Sequence, residues 1–309
     1  MGQTEIYILG GFLGSGKTTL LGHIIKEERK TGRKIAVLMN ELGKVSLDSY
    51  FIEEGIPLKE LYDGCICCTL QDKLEVQIHE LLQGEELDAI YIETTGAAHP
   101  VEVLDGIMSP LFADKLMYKG IITVVDLLRW RDIETFSPQI RQLIMEQVHH
   151  ADLIILNKID LVSEAEAAGQ VYKIQALNEG GRILMTEHAR IPIEQIYSLR
   201  LTRKKEHKAA DVVRQLKLQA VLHEFRGEIK QSLFEDWIRS LPETVYRMKG
   251  FIKLSSSSKP VLFQYSYGTP LYMPQEMNMP LKLVIIGENI KADEIKESLL
   301  QIETEKQGE

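Results

Sequence analysis

Residues 6–26 of this 309-residue chain read IYILGGFLGSGKTTLLGHIIK, and this stretch decides the fold. An apolar, β-branched segment leads into a glycine-rich turn, and apolar residues at helical spacing follow the turn. A strand, a glycine loop and a helix in that order predict the first unit of an α/β domain with a parallel sheet. The loop lies at the carboxyl end of its strand, where such domains bind ligands.

The glycine-rich turn has the spacing of a phosphate-binding loop. Glycines allow the backbone amides to curve around phosphate oxygens, and the following helix directs its positive end at the same anion. A lysine at the end of the loop supplies a positive charge to the β- and γ-phosphates, and the next hydroxyl binds Mg²⁺. The alternative, a glycine turn that binds nothing, does not explain the lysine and the threonine. The predicted nucleotide-binding residues are Gly11, Gly14, Ser15, Gly16, Lys17, Thr18 and Thr19, with Lys17 also catalytic.

Apolar segments alternate with helix-patterned segments through the first 190 residues or so. The predicted strands after the first lie at residues 34–39, 89–93, 120–125 and 152–156, and a predicted amphipathic helix spans 139–148. Nearly continuous apolar strands are typical of a parallel sheet that is covered on both faces. The sequence therefore predicts a doubly wound, mostly parallel α/β domain over residues 1–200.

Two further motifs lie at predicted strand ends. Asn157-Lys158-Ile159-Asp160 follows the 152–156 strand. A carboxylate at Asp160 would accept from the N1–H and amino group of guanine, whereas adenine would leave it unpaired. The alternative is a loop whose Asn and Asp cap a helix. This motif together with the phosphate loop favours a guanine nucleotide.

The second strand-end motif is Glu93-Thr94-Thr95-Gly96. Glu93 is predicted to hold Mg²⁺ with Thr18, and Gly96 to let the backbone approach the γ-phosphate; a simple strand-terminal turn is the alternative. Asp126 ends another strand, and the sequence leaves its role open.

All three cysteines of the chain, Cys65, Cys67 and Cys68, lie within four residues. Thiolates are soft ligands that select zinc and similar ions. Three of them leave a tetrahedral site one ligand short, and water, Glu41, His99 or a partner's side chain could complete it. Buried apolar cysteines and a redox-active cluster are the alternatives. We expect His99 to be a structural or switch residue more than a ligand.

Composition and charge narrow the class of protein. The net charge is −9, which argues against nucleic-acid binding. No apolar stretch approaches the ~20 residues needed to cross a bilayer, and the amino terminus has no secretory pattern. Clustered cysteines without a disulfide framework fit a reducing compartment. We expect a cytoplasmic protein without a membrane partner.

The carboxy-terminal third has a different pattern. Residues 201–224 begin with a basic, polar stretch and are predicted to be a linker. Strands are predicted at 250–254, 261–267 and 282–286, with helices around 233–238 and at 291–301. The sequence therefore predicts a smaller α+β domain over 225–309.

These motifs together resemble the CobW-type metallochaperone GTPases of the SIMIBI P-loop class, over essentially the whole chain. The resemblance rests on the phosphate loop, the 93–96 and 157–160 motifs, Asn40-Glu41-Leu42-Gly43, Gly64-Cys65-Ile66-Cys67-Cys68 and Arg247-Met248-Lys249-Gly250-Phe251. Many relatives carry acidic residues beside the Asn-Glu-x-Gly motif, where this chain has Met39 and Lys44. A metal site that borrows a carboxylate from those positions is therefore not expected here.

The resemblance implies a GTPase of low intrinsic turnover that binds zinc, or cobalt, at the three cysteines and delivers it to a client metalloprotein. Asn40, Glu41 and Asp48 are candidate switch residues that position the attacking water or bind Mg²⁺. The carboxy-terminal domain is expected to recognise the client, and a homo-oligomer is possible. The main alternative is a signalling or assembly GTPase with a purely structural zinc. A small-molecule kinase is a weaker one.

Overall fold

The structure, a computed structural model, describes residues 2–39, 58–60, 70–84, 86–199, 218–266 and 268–304. The chain divides into two compact units. The first comprises residues 1–103 and 117–217, and the second comprises residues 104–116 and 218–309.

The first unit is built on a seven-stranded sheet in the order β3-β2-β4-β1-β5-β6-β7. The pairs β1–β4, β2–β4, β2–β3, β5–β6 and β6–β7 are parallel. The predicted doubly wound, mostly parallel sheet is confirmed. The strands are β1 Thr4–Gly10, β2 Ile35–Met39, β3 Leu58–Glu60, β4 Ala89–Glu93, β5 Leu116–Asp126, β6 Leu153–Asn157 and β7 Arg182–Thr186.

Helices cover both faces of this sheet. Successive residues of β6 show this arrangement, since Leu153 and Ile155 belong to one apolar cluster and Ile154 and Leu156 to another. Alternate side chains of a strand point to opposite faces, so each face has its own core. The helices are α1 Lys17–Thr31, α2 Leu70–Gln83, α3 Pro100–Ile107, α4 Leu127–Arg131, α5 Pro138–His149, α6 Glu164–Leu177 and α7 Glu194–Tyr197.

The second unit contains a five-stranded sheet in the order β11-β10-β9-β12-β8, and its strand pairs are antiparallel. Two helices contribute Phe234, Trp237 and Leu299 to its apolar core. The predicted α+β domain is confirmed. Its elements are β8 Leu218–Glu224, α8 Gln231–Ser240, β9 Val245–Ile252, β10 Val261–Ser266, β11 Thr269–Pro274, β12 Lys282–Glu288 and α9 Ala292–Thr304.

The boundaries of the second unit differ from the sequence prediction in two places. Residues 218–224 were assigned to the linker, but they form strand β8, which pairs with β12. Strand β9 ends at Ile252, whereas the prediction placed a strand at 250–254. In both cases the pairing partner supplies the ladder hydrogen bonds that define the strand, and for β8 that partner, β12, is distant in sequence.

Residues 104–116 belong to the second unit although they fall between two strands of the first. Two ion pairs join this segment to the second sheet. Arg247 Nε lies 3.0 Å from Asp105 Oδ2, and Lys282 Nζ lies 3.1 Å from Asp114 Oδ2. The Arg247 of the carboxy-terminal signature therefore has a structural partner. The sequence pattern gave no sign of this pairing.

Candidate nucleotide site

The phosphate loop follows β1 and has the backbone shape that its glycines permit. Gly11, Gly14 and Gly16 have φ values of 130°, 73° and 112°. A Cβ at Gly11 would lie 2.2 Å from the Val124 carbonyl oxygen, and one at Gly16 would lie 2.5 Å from Asn157 Nδ2. Both glycines are therefore required by space as well as by conformation.

Helix α1 begins at Lys17 without a side-chain cap. The amides of its first turn have no intrahelical partner and create a positive potential suited to an anion. Lys17 Nζ lies 2.9 Å from the Gly11 carbonyl oxygen and 3.3 Å from that of Phe12. These hydrogen bonds hold the ammonium group beside the loop. The solvent-open cavity beside it has a volume of about 340 Å³, and it is lined by Leu13, Gly14, Gly16, Lys17, Thr18, Thr19 and residues 93–96.

Thr18 and Glu93 meet at the floor of this cavity. The Thr18 hydroxyl donates to Glu93 Oε1 at 2.6 Å. The Glu93 side chain is 8% exposed, and its Oε2 is buried without a hydrogen-bond partner among the described residues. Burial raises the pKa of Glu93, and the hydrogen bond from Thr18 only partly opposes this effect. A hydroxyl beside a buried carboxylate with an unused oxygen fits Mg²⁺, which prefers oxygen ligands.

The 157–160 motif folds against the phosphate loop. Asn157 Nδ2 donates to the Ser15 carbonyl oxygen at 2.9 Å, while Asn157 Oδ1 accepts from the Ala189 amide at 2.8 Å. Lys158 Nζ donates to the Gly14 carbonyl oxygen at 3.0 Å. Asn157 thus joins the phosphate loop to the loop after β7, and it stiffens both.

Asp160 differs from its neighbours in the motif. Its side chain is exposed, and no described residue forms a hydrogen bond with its carboxylate. Asn157 and Lys158 are engaged in holding the loops, while Asp160 has acceptor atoms to offer. These contacts suit a motif in which Asn157 and Lys158 hold the loops and the Asp160 carboxylate binds the base.

Comparison with known proteins agrees with this geometry. Residues 5–184 match the family described as CobW/HypB/UreG, nucleotide-binding domain, and residues 218–303 match the cobalamin synthesis protein cobW C-terminal domain. The chain belongs to the CobW/HypB/UreG family. The predicted family membership is confirmed.

Two curated relatives and one solved structure illustrate the family. The zinc-regulated GTPase metalloprotein activator 1 of Dictyostelium discoideum is 30% identical over 292 residues, which cover 81% of this chain and 56% of that protein. This chain therefore spans little more than half the length of that relative. The zinc chaperone YjiA of Escherichia coli (strain K12) is 28% identical over 284 residues, covering 85% of this chain and 86% of YjiA. The Zn(II)-bound YjiA GTPase from E. coli has a TM-score of 0.52 at 23% identity, covering 98% and 99% of the two chains, and it supports the fold.

Several predicted site residues of this CobW/HypB/UreG member lie outside the described residues. They are Asn40, Glu41 and Asp48 of the candidate switch and Cys65, Cys67 and Cys68 of the candidate zinc site. Met39, by contrast, ends β2 and is 1% exposed within the core. The position that is often acidic in relatives is therefore an apolar core position here.

His99 stands immediately before helix α3. The Val101 amide donates to His99 Nδ1 at 3.3 Å, so the ring caps one of the unpaired amides of the helix. This contact agrees with the expected structural or switch role.

Sequence reasoning missed two residues that shape the nucleotide site. Asp126, whose role was left open, caps α4 by accepting from the Leu128 and Arg129 amides, and its Oδ2 lies 2.6 Å from Lys158 Nζ. Arg129 donates to the Leu13 carbonyl oxygen at 2.6 Å. A strand-end aspartate was a usable signal for the first of these, while nothing in the spacing marked Arg129.

No helix among the described residues combines the length and the apolar character needed to span a bilayer.

Proposed function

We propose that this chain is a GTP-driven zinc chaperone. It would hydrolyse GTP with Mg²⁺ at the phosphate loop and hand zinc, held by Cys65, Cys67 and Cys68, to a client metalloprotein. The observation that carries the proposal is the hydrogen bond between Thr18 and Glu93 beside the phosphate loop. It leaves Glu93 Oε2 buried and without a hydrogen-bond partner among the described residues. The zinc part of the proposal is supported by relatives of the chain that are named zinc chaperones and zinc-regulated GTPase metalloprotein activators.

The nucleotide side of the mechanism divides among four positions. When GTP binds, Lys17 Nζ exchanges its hydrogen bonds to the Gly11 and Phe12 carbonyl oxygens for contacts with the β- and γ-phosphates. The exchange is favourable because a charge-assisted contact with phosphate is stronger than one with a neutral carbonyl. Thr18 and Glu93 would hold Mg²⁺, and the bound ion would supply positive charge to neutralise developing charge on the phosphate oxygens. Asp160 accepts from guanine, and this contact selects GTP over ATP.

The zinc side rests on the chemistry of the cysteine cluster. Three thiolates bind zinc strongly and leave one position of a tetrahedral site for another ligand. A shared or open position suits a protein that must release its metal to another chain. Zinc is therefore cargo in this proposal, and the cysteine loop is its carrier.

Nucleotide and zinc binding would be coupled because the cysteine cluster at 65–68 lies in sequence between the candidate switch at 40–50 and the motif at 93–96. If GTP reorders these segments, zinc affinity must change with the nucleotide, and the change is reciprocal. Such coupling free energies are typically about 1–3 kcal/mol, or about 5- to 150-fold in affinity. The carboxy-terminal unit carries none of the nucleotide and thiol motifs, and we assign client recognition to it.

The test is a zinc titration of the purified chain with GDP and with a non-hydrolysable GTP analogue. We expect the two zinc affinities to differ by at least about fivefold. The Lys17→Ala variant is the control, since it should bind zinc with a single affinity in both nucleotides. Equal affinities in the unaltered chain would instead favour a GTPase with a structural zinc.

Cobalt substitution tests the ligands separately. Cobalt bound through Cys65, Cys67 and Cys68 should show a thiolate-to-metal charge-transfer band, since only deprotonated sulfur coordinates strongly. If that band is missing and all three cysteines react with an alkylating agent in the presence of metal, the chaperone proposal fails.

A further inference from the structure

Gln147 is a buried glutamine in α5, and its side chain contacts the end of the Glu93–Gly96 motif and the residues just after it. Its side-chain nitrogen donates to the Gly96 carbonyl oxygen at 3.1 Å and to the Ala98 carbonyl oxygen at 3.1 Å. The residue is 2% exposed. One planar amide therefore fastens two carbonyls of the loop that follows the Mg²⁺-binding carboxylate.

The glutamine is itself anchored to the sheet. Its backbone carbonyl accepts from the buried Thr123 hydroxyl at 2.9 Å, and Thr123 belongs to β5. Helix α5 and strand β5 thus fix the position from which the side chain reaches the loop.

The side-chain oxygen of Gln147 differs from the side-chain nitrogen in its hydrogen bonding. Gln147 Oε1 is buried, and no described residue donates to it. An unpaired buried amide oxygen costs about 1–3 kcal/mol, so a residue chosen for stability alone would not be a glutamine. The two N–H groups directed at the loop are the feature that distinguishes Gln147 from an apolar residue of the same size.

The loop that Gln147 holds lies against the phosphate loop. A Cβ at Gly96 would lie 2.5 Å from the Leu13 backbone nitrogen. The start of the loop is tied to β1, because the amide and the hydroxyl of Thr94 both donate to the Leu9 carbonyl oxygen, at 3.0 Å and 3.1 Å. Thr94 therefore fixes one end of the 94–98 segment, and Gln147 fixes the other.

We propose that Gln147 is a positioning residue for GTP hydrolysis. By holding the Gly96 and Ala98 carbonyls it sets the orientation of the Gly96 peptide group beside the phosphate loop, where the γ-phosphate of GTP binds. This inference rests on the proposed GTP hydrolysis and goes beyond it by assigning a role to α5. The contact concerns a segment that meets the γ-phosphate, so GDP binding does not depend on it.

The experiment compares Gln147→Leu with the unaltered chain in steady-state GTP hydrolysis and in GDP binding. We expect kcat to fall about 10- to 100-fold, because small misplacements of a reacting arrangement have effects of that size. The KM for GTP should change less than the kcat, and GDP affinity should stay within about twofold of the original value. Gln147→Glu should be at least as impaired, since a carboxylate would face two carbonyl oxygens.

Gln175, at an exposed position, provides a control for the loss of two such hydrogen bonds. Its side-chain nitrogen donates to the carbonyl oxygens of Asn178 and Glu179, at 3.2 Å and 3.0 Å, at the end of α6. Gln175→Leu removes the same pair of bonds from a helix end that carries no nucleotide motif, so its kcat should be unchanged.

Three outcomes would overturn the proposal: an unchanged kcat in Gln147→Leu, an equal loss of kcat and GDP affinity, or an equal loss of kcat in Gln175→Leu. If Gln147→Leu does not fold, Gln147→Ala is read by the same criteria. An unaltered chain that does not hydrolyse GTP would instead contradict the proposed function, and a failure in zinc delivery would leave this test unaffected.

Discussion

The phosphate-loop site and the network around Glu28, at opposite ends of the first sheet, treat buried polar groups in opposite ways. At the carboxyl end, Ser15 Oγ, Glu93 Oε2 and Gln147 Oε1 are buried without a hydrogen-bond partner among the described residues. At the amino end, the buried Glu28 accepts from two tyrosines and an arginine at once. Native proteins satisfy most buried polar groups, so three unsatisfied atoms near the phosphate loop fit a place where something else binds.

The amino-end network joins residues that are far apart in the chain. Arg33 lies 2.9 Å from Glu28 Oε1 and 2.6 Å from Glu5 Oε2, and Lys119 Nζ lies 3.1 Å from Glu5 Oε1. The hydroxyls of Tyr91 and Tyr197 donate to Glu28, and burial raises the pKa of Tyr91. Each charge has an opposite charge beside it, so the network is complete without a ligand.

The difference separates stability from function. A closed network holds the strands and the end of α1 together, and breaking it should affect folding. An open set of polar groups is left for phosphate and metal, and removing one should affect binding. Four predictions test this separation, from the largest expected effect to the smallest.

The first prediction concerns the closed network. Glu28→Gln keeps the shape of the side chain but leaves Arg33 without one of its carboxylates. We expect the free energy of unfolding to fall by about 4 kcal/mol, as found when one partner of a buried pair is removed. Urea unfolding measures this loss, and GDP affinity of the folded protein should be unchanged.

Glu27→Gln is the control for this change, because Glu27 lies on the same helix in an exposed ion pair with Lys30. Exposed pairs contribute about 0–1 kcal/mol, so little loss is expected. Equal effects of the two variants would mean that the amino-end network is not special.

The second prediction concerns the open end. Lys17→Ala should lower GTP and GDP affinity at least about 30-fold, because truncating one partner of a buried charge pair costs about 2–5 kcal/mol. Isothermal titration measures the affinities. The unfolding free energy should change little, since the hydrogen bonds of the Lys17 ammonium group to the Gly11 and Phe12 carbonyl oxygens lie within the phosphate loop itself.

Lys26→Ala, an exposed position further along α1, should leave nucleotide affinity unaltered. Wild-type affinity in Lys17→Ala would contradict the assignment of the phosphate loop.

The third prediction concerns base selection. Asp160→Ala should reduce the preference for GTP over ATP about 5- to 150-fold, because the guanine donors then lose their acceptor, at a cost of about 1–3 kcal/mol. Competition binding with the two nucleotides measures the ratio. Glu164→Ala, at a nearby exposed acid, should keep the original ratio, and an unchanged ratio in Asp160→Ala would place the guanine contact elsewhere.

The fourth and smallest prediction concerns pH. Burial alone would raise the pKa of Glu5, but hydrogen bonds from Lys119 and Arg33 outweigh it and hold the pKa below the usual 4.5. The stabilisation by Glu5 is therefore fully present above pH 4.5 and is lost as the pH falls through the lowered folded pKa. Urea unfolding from neutral pH to about pH 3 should show this loss, and Glu5→Gln should show less of it.

Glu93 should show the opposite dependence, because burial raises its pKa in the folded state. The folded protein then binds more protons than the unfolded chain, so the contribution of Glu93 to stability falls as the pH rises above 4.5. Glu93→Gln should remove that fall. If both carboxylates showed the same slope, the contrast between the two ends of the sheet would be wrong.

Much of the nucleotide site was predictable because its motifs are local. Gly11 to Thr19 and Asn157 to Asp160 each lie within a few residues of a strand end, and parallel strands place their carboxyl ends at one edge. The apolar segment at 89–93 became β4 with the same bounds. The linker prediction failed at 218–224, because the strand there is defined by its pairing with β12 rather than by its own spacing.

The sequence by itself determined the phosphate-loop motif, five of the seven described strands of the first sheet and the family, since each depends on neighbouring residues. The tertiary structure alone decided which distant groups meet. Arg33 and Glu5 are separated by 28 positions and Lys119 and Glu5 by 114. Gln147 reaches a carbonyl 51 positions away. Local spacing sets the periodicity of an element, but the topology of the sheet selects the partners of its side chains, and no pattern along the chain records that choice.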